Sequence, residues 1–363
     1  MPMTAPSLLD YTRLGLATAA QPVVVLWRLA SSPFTSYEKK KPWRRVVYDA
    51  SFRWIVYTQR MDLLGYIMGP SVTTYEKYMK KHLLEARVQD VEDAKLLWVG
   101  ERDPERVILY LHGGGFLFPL ADYSLDFWGY VRKELTRTGC KGVAIAVLDY
   151  TLVTSAGYPT QLRQSIAAVK QLLADGIKPE NIVLTGDSAG GNLVIQLLLH
   201  QLHPVEGLQE LPPDIKFGGA YMMSPWTDLL PRGGVASYKE NPKWDIVAAP
   251  KLAYFGRAYL DRVREEKDLK YIDAHYAPDR WYDGVGNIVD KVLITAGGAE
   301  SLRDDIVRFA DRFGKAHGNT KIVIDKFGVH DDPFLDFYAG ETKQLSELTP
   351  IILEWIKEAF EIA

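Results

Sequence analysis

Six short apolar runs, none alternating with polar residues, recur through the second half and middle of this chain. They are residues 107–111 (Val-Ile-Leu-Tyr-Leu), 143–148, 182–185, 220–223, 292–295 and 322–324. A strand that is apolar along its whole length has no face to give to water, so it must be covered on both sides. Helical patterns fall between most of these runs, at residues 161–174, 189–201 and 304–315. Strands alternating with helices predict a mostly parallel central sheet flanked by helices on both faces. The chain's 363 residues, 47% of them hydrophobic, suffice for a sizeable core. One large α/β domain with insertions accommodates that length as well as two ordinary domains do.

Two stretches break the rhythm. Residues 1–90 carry many aromatics, among them Trp27, Phe34, Trp43, Phe52, Trp54 and Tyr57, and read as helices without β-alternation. Residues 226–285 are equally aromatic and too long for an ordinary loop, so they read as an inserted helical subdomain. The expected organisation is an N-terminal helical cap at 1–90, a core at 91–225 and 286–363, and a helical lid at 226–285. A closing amphipathic helix is expected within 345–360. Lysine and arginine number 43 against 46 acidic residues, so no basic surplus exists to neutralise phosphates, and nucleic acid is excluded as a partner. The single cysteine, Cys140, excludes an internal disulfide and a cysteine zinc site; it reads as a small buried hydrophobe.

The first ten residues lack the positive charge of a secretory signal. An uncharged stretch at 14–27 follows, ended by Arg28 and interrupted by Gln21 and Pro22. It is shorter than the roughly 20 apolar residues that cross a bilayer. One reading is a helix packed on the protein body, which the short apolar length favours. The other is an anchor lying in a membrane interface through residues 8–30, flanked by Arg13, Arg28, Lys39, Lys40, Lys41, Arg44 and Arg45.

The chemistry is concentrated in four places. Gly186-Asp187-Ser188-Ala189-Gly190 directly follows an apolar run and directly precedes a helical pattern. A serine forced into such a turn presents its Oγ above the sheet edge, and small neighbours let the backbone turn without clashes. The helix that follows aims its N-terminus at the site and favours negative charge there. His112-Gly113-Gly114-Gly115-Phe116 follows the first run. Its unshielded amides, with that of Ala189, suit a developing oxyanion, and no Walker pattern competes. A serine nucleophile needs a base, and the base needs an orienting carboxylate. His330 lies in a loop after the last run, while His317 reads as a surface residue capping a helix end. Glu300 is the first carboxylate after the run at 292–295, with Asp304 and Asp305 as rivals that read as first-turn helix residues. Asp187 reads as a brace for the turn. His200 and His203 read as helix-end residues and not as metal ligands.

These motifs resemble those of the hormone-sensitive-lipase-type esterases of the α/β-hydrolase superfamily. His112-Gly113-Gly114-Gly115 is similar to their HGGG motif and Gly186 to Gly191 to their GDSAGG elbow. Ser224-Pro225-Trp226-Thr227-Asp228-Leu229 resembles the segment that opens their lid. The long aromatic N-terminus is similar to the caps of steryl deacetylases. The resemblance implies an α/β-hydrolase fold with a helical N-terminal cap and an insertion after strand six. It also implies a triad of Ser188, Glu300 and His330, with Gly113, Gly114 and Ala189 amides as oxyanion donors. His112, Phe116 and Trp226 are the expected substrate-lining residues. Glu300 departs from the family's usual aspartate, and its extra methylene requires a slightly retracted backbone. The expected activity is that of a metal-free serine carboxylic-ester hydrolase without cofactor, acting on a small hydrophobic ester such as a sterol, terpenoid or polyketide acetate. Acyl transfer, cyclisation or elimination on the same fold is the alternative. A non-catalytic receptor is disfavoured because Ser188 and His330 are both present. The expected setting is the cytoplasm, against an internal membrane surface, with a second copy of the chain as a further partner.

Overall fold

The computed structural model describes residues 7–360 apart from 233 and 342. The ends of the expected cap and core spans, residues 1–6 and 361–363, lie outside them. Four helices come first: α1 (Leu8–Ser31), α2 (Trp43–Thr58), α3 (Met61–Met68) and α4 (Ser71–Lys81). A sheet of eight strands follows: β1 (Arg87–Val91), β2 (Ala94–Val99), β3 (Arg106–Leu111), β4 (Val143–Asp149), β5 (Ile182–Asp187), β6 (Gly219–Met223), β7 (Val292–Gly297) and β8 (Thr320–Asp325). The order is β1-β2-β4-β3-β5-β6-β7-β8. The strands from β3 to β8 are parallel, and β1 and β2 form an antiparallel hairpin added beside β4.

The six apolar runs are β3 to β8, each within two residues of its expected ends. Successive residues of one strand feed two different cores. Val107, Leu109 and Leu111 join one cluster, while Ile108 and Tyr110 join the other. The first cluster is completed by α6 (Thr160–Ala174) and α7 (Ala189–Leu202), and the second by α5 (Asp122–Arg137). That double burial is why β3 to β7 do not alternate; the run at 322–324 departs from the expectation, because β8 is the edge strand, has no buried residue and leaves Ile322 and Ile324 exposed. The hairpin of β1 and β2 was not expected. Strand β1 is polar and half exposed at the sheet edge, and the two-residue turn Glu92-Asp93 puts Glu92 at φ 52°. Glycine, asparagine or aspartate is the usual signal for such a turn.

Between β6 and β7 the chain makes three short or medium helices: α8 (Ser237–Glu240), α9 (Ala249–Leu260) and α10 (Leu269–Ile272). After β7 come α11 (Arg303–Ala316), then β8, α12 (Asp332–Tyr338) and the closing α13 (Leu348–Ala359). Helix α1 is longer than its uncharged stretch suggested and runs through Pro22 without ending. Trp54 donates its indole N–H to Ala17 O at 2.7 Å, tying α2 to it near Pro22.

Candidate active site

Strand β5 delivers Ser188 to the carboxyl end of the sheet. The residue adopts φ 49° and ψ −115°, a left-handed conformation costing roughly 1–3 kcal/mol for a non-glycine residue. The surroundings hold it there. Its N–H donates to Met223 O at 2.9 Å, and its own carbonyl accepts from Trp226 N at 2.9 Å and Asn192 N at 3.1 Å. Glycines make the turn possible: a Cβ on Gly186 would lie 2.3 Å from the Gly190 carbonyl carbon, and one on Gly190 would lie 1.8 Å from Leu111 O.

Asp187 braces the glycine loop. Its Oδ1 accepts from Tyr110 OH at 2.6 Å and from Gly113 N at 2.9 Å. This corrects the expected oxyanion set. The Gly113 amide is already committed to Asp187 and cannot also serve an incoming oxygen. The amides of Gly114 and Gly115 make no hydrogen bond among the described residues, and that of Ala189, opening α7, has no partner within its helix. The open donors are therefore Gly114, Gly115 and Ala189.

His330 lies between β8 and α12, with its ring held at both nitrogens. Nδ1 is 2.8 Å from Glu300 Oε1. The other oxygen, Oε2, accepts from Ser224 Oγ at 2.9 Å and Gly297 N at 2.8 Å, so the carboxylate is fixed on both sides. The extra methylene of the glutamate is absorbed by folding the side chain back over the end of β7 onto Gly297. Asp304 and Asp305 turn away, accepting from Ser237 N and Tyr238 OH. On the other edge of the ring, Nε2 lies 3.3 Å from Asp331 Oδ2. No hydrogen bond joins Ser188 to His330; both line the same cavity. Burial opposes a charge on His330, yet Asp331, Glu300 and Asp245 together push its pKa up to about 10.

Asp245, in the insertion, was invisible to sequence reasoning. Its Oδ1 accepts from His330 N at 2.9 Å and its Oδ2 from Ser301 N at 2.7 Å, pinning both loops at once. It is 56 residues from Ser301 and 85 from His330, and nothing around it in sequence marks it out. His330 is also steadied through Asp332, which accepts from Val329 N at 3.1 Å and is bound by Arg45 and Lys41 from the N-terminal helices.

The cavity measures about 360 Å³, a size suited to a small organic molecule. The cap supplies Phe52, Ile55 and Met68, and the insertion supplies Val247, Leu252 and Phe255. Of the expected lining residues, His112 and Trp226 are present. His112 stacks on Tyr150 at 4.3 Å, and burial lowers its pKa to about 4, leaving it neutral. Phe116 is a correction: it is fully buried, stacked on Tyr259 at 4.3 Å, and does not line the cavity. Phe118, two residues on, does. His317 caps α11 as expected but is buried, with Nε2 at 2.9 Å from Val289 O. His200 is buried too, and its imidazole lies 2.9 Å from Gln209 O. Among the described residues no group of three His, Cys, Asp or Glu is placed to hold a metal.

Residues 71–351 match a family model described as steryl acetyl hydrolase. The chain is 29% identical over 266 residues to mug81 of Schizosaccharomyces pombe, covering 72% of this chain and 68% of that one. It is 26% identical over 249 residues to steryl acetyl hydrolase 1 of Saccharomyces cerevisiae, covering 64% and 55%. The fold is that of a bacterial hormone-sensitive lipase family esterase, with a TM-score of 0.66 at 21% identity, covering 88% of this chain and 99% of that one.

Proposed function

Because the chain belongs to the steryl acetyl hydrolase family, we propose that it removes a short acyl group, acetate foremost, from a hydrophobic alcohol such as a sterol. It is a serine ester hydrolase of the α/β-hydrolase fold. In the proposed cycle Ser188 Oγ attacks the ester carbonyl while His330 Nε2 takes its proton. The Gly114, Gly115 and Ala189 amides receive the oxyanion, and Glu300 steadies the imidazolium. The alcohol leaves with that proton. Water, deprotonated by His330, then attacks the acyl-serine and releases the acid.

One observation carries this reading. A serine in a strained strand-to-helix turn, a histidine anchored at 2.8 Å by a doubly fixed carboxylate, and uncommitted amides all border one apolar cavity. Ser188→Ala should abolish hydrolysis of p-nitrophenyl acetate in a protein with unchanged circular dichroism. A steryl acetate should be cleaved faster than the same sterol's long-chain esters. Undiminished turnover by the variant, or preference for long acyl chains, would contradict the proposal.

The cap supports a membrane-surface setting. Leu9, Leu16 and Val23 recur every seventh residue of α1 and are exposed, as are Leu26 and Trp27. Within Leu8–Phe34 the most apolar part of the helix has no buried residue. That stretch is long and apolar enough to cross a membrane by length and composition, so the short-span expectation no longer discriminates. Its outer apolar face lies in the same N-terminal segment as Met68 and Ile55, which line the cavity. Sedimentation with vesicles should fall when Leu16 and Val23 are changed to Glu; unchanged sedimentation would remove this part of the reading. A second copy of the chain would find its apolar contact at edge strand β8, where Ile322 and Ile324 are exposed.

A further inference from the structure

The mechanism above leaves one buried carboxyl in the cavity without a task. Asp331 directly follows His330 and takes the left-handed conformation, φ 52° and ψ 36°, at the start of α12. Its N–H donates to Ser224 Oγ at 3.2 Å, the same hydroxyl that donates to Glu300. This fixes the backbone relative to the acid on the far side of the ring. The side chain turns inward, lines the cavity beside Ser188, and leaves Oδ1 without a hydrogen-bond partner. Its Oδ2 lies 3.3 Å from His330 Nε2, the nitrogen that must receive the serine proton. A buried carboxyl with an idle oxygen is costly unless a role or a ligand compensates it.

We infer that Asp331 is a positioning residue that shares a proton with His330 Nε2 and thereby sets the pH at which the base becomes available to Ser188. This rests on the reading of Ser188 and His330 as nucleophile and base. The pair holds one proton in the resting state. When that proton is on Nε2, the imidazolium faces the Asp331 carboxylate and cannot accept from Ser188. When it crosses to Oδ2, the acid is neutral and Nε2 has a free lone pair. No bond other than N–H and O–H changes, and no co-reactant is needed. A bound apolar ester displaces water from the cavity and disfavours the separated charges, so it shifts the pair toward its neutral form.

The other groups facing the pair do not replace Asp331. Glu300 holds the opposite nitrogen, Nδ1. Asp245 is occupied by the backbone N–H groups of His330 and Ser301. Asp187, from β5, is occupied by Tyr110 OH and Gly113 N. Tyr110 and Tyr221, on β3 and β6, are buried and Tyr123, on α5, is partly buried; burial and nearby carboxylates keep all three phenols protonated. On the outer side Lys41 and Arg45 are committed to Asp49, Asp332 and Asp336. Asp331 raises the pKa of His330, while burial together with Asp187, Glu300 and Asp245 outweighs the imidazolium and raises that of Asp331 well above the ordinary carboxyl range, so both partners of the pair have affinity for the proton they share.

The experiment is the pH dependence of fluorophosphonate inactivation, which reports the Ser188–His330 pair without deacylation. Asp331→Asn keeps the side-chain shape and tolerates the left-handed backbone; Asp331→Gly removes the side chain and the strain. Both should move the acid limb to lower pH by about one to three units, the effect of losing one opposite charge at contact distance. Inactivation at pH 6 should rise about tenfold or more, with the alkaline plateau changed less than threefold. Acid limbs within 0.3 units of the parent, in variants that label fully at high pH, would overturn the inference. Absence of labelling at Ser188 in the parent protein would instead overturn the catalytic reading, and the inference with it.

Discussion

Arg45→Met tests whether the N-terminal helices hold the histidine loop by charge. Arg45 is buried, with Nε 3.2 Å from Asp49 Oδ1 and Nη2 2.9 Å from Asp332 Oδ1, while Nη1 reaches Asp336. Lys41 adds contacts of 2.9 Å to Asp49 and 3.4 Å to Asp332. Two cations thus serve three carboxylates. Methionine preserves much of the packed volume but leaves three buried carboxylates facing one lysine. Removing one partner of a buried ion pair costs about 3–5 kcal/mol. At this chain length each kcal/mol corresponds to roughly 1.3 °C, so the thermal midpoint should fall by about 4–7 °C at pH 8.

The sign of the pH dependence is fixed by the same cluster. Burial works against the charge of Asp332, but Arg45 and Lys41 lower its pKa to about 2. A depressed pKa contributes stability that is present above the unfolded value near 3.8 and lost as pH falls through about 2. Without Arg45 that contribution disappears and the carboxyl rises instead. Asp336, raised to about 7 by burial even with Arg45 present, rises further. The folded variant then binds more protons than the unfolded chain, so its deficit should shrink as pH falls from 8 toward 5. Differential scanning fluorimetry at both pH values checks this. A midpoint within 2 °C of the parent at pH 8, or an equal drop at both, would refute the reasoning.

Two substitutions test the oxyanion loop and the acid. A Cβ on Gly113 would lie 2.1 Å from Asp187 Oδ2, so Gly113→Ala should displace the brace and misaim the Gly114 and Gly115 amides, lowering kcat by about 10²–10³ with little change in KM. An unchanged kcat would mean that the loop is not positioned by Asp187. Glu300→Gln keeps the side-chain length but cannot stabilise the imidazolium, and should lower kcat by about 10⁴ on p-nitrophenyl acetate. A loss of less than tenfold would assign the orienting role to another carboxyl.

The parts of this protein that were legible in sequence are those whose physics is local. Strands buried on both faces must be apolar at nearly every position, so β3 to β7 could be found one by one, while the edge strand β8 was found only by its short central run Ile322-Val323-Ile324. The turn at Ser188 needs small residues within a few positions, because Gly186 approaches the Gly190 backbone itself, although Gly190 in turn meets Leu111 at the end of the neighbouring strand β3. Chain order, together with their places in the loops after two of the runs, pointed to His330 and Glu300, whose contact is the 2.8 Å bond at the site. The edge hairpin escaped notice because its polar first strand and its Glu92 turn carry no ordinary signal.

What only the tertiary structure decided is how competing donors and acceptors were shared out. Three neighbouring glycine amides are chemically equivalent in sequence, and Asp187, 74 residues away, removes one of them from service. Phe116 and Phe118 are equally apolar, and Tyr259 takes the first out of the cavity while the second stays. Asp245, Asp331 and the pair of Arg45 with Asp332 acquire meaning only from neighbours up to 287 residues distant. The sequence fixes which groups must be buried, since hydrophobic patterning is a property of each segment. Which buried polar group satisfies which other is a property of the assembled fold, because every donor and acceptor withdrawn from water must find a partner wherever the packing puts one.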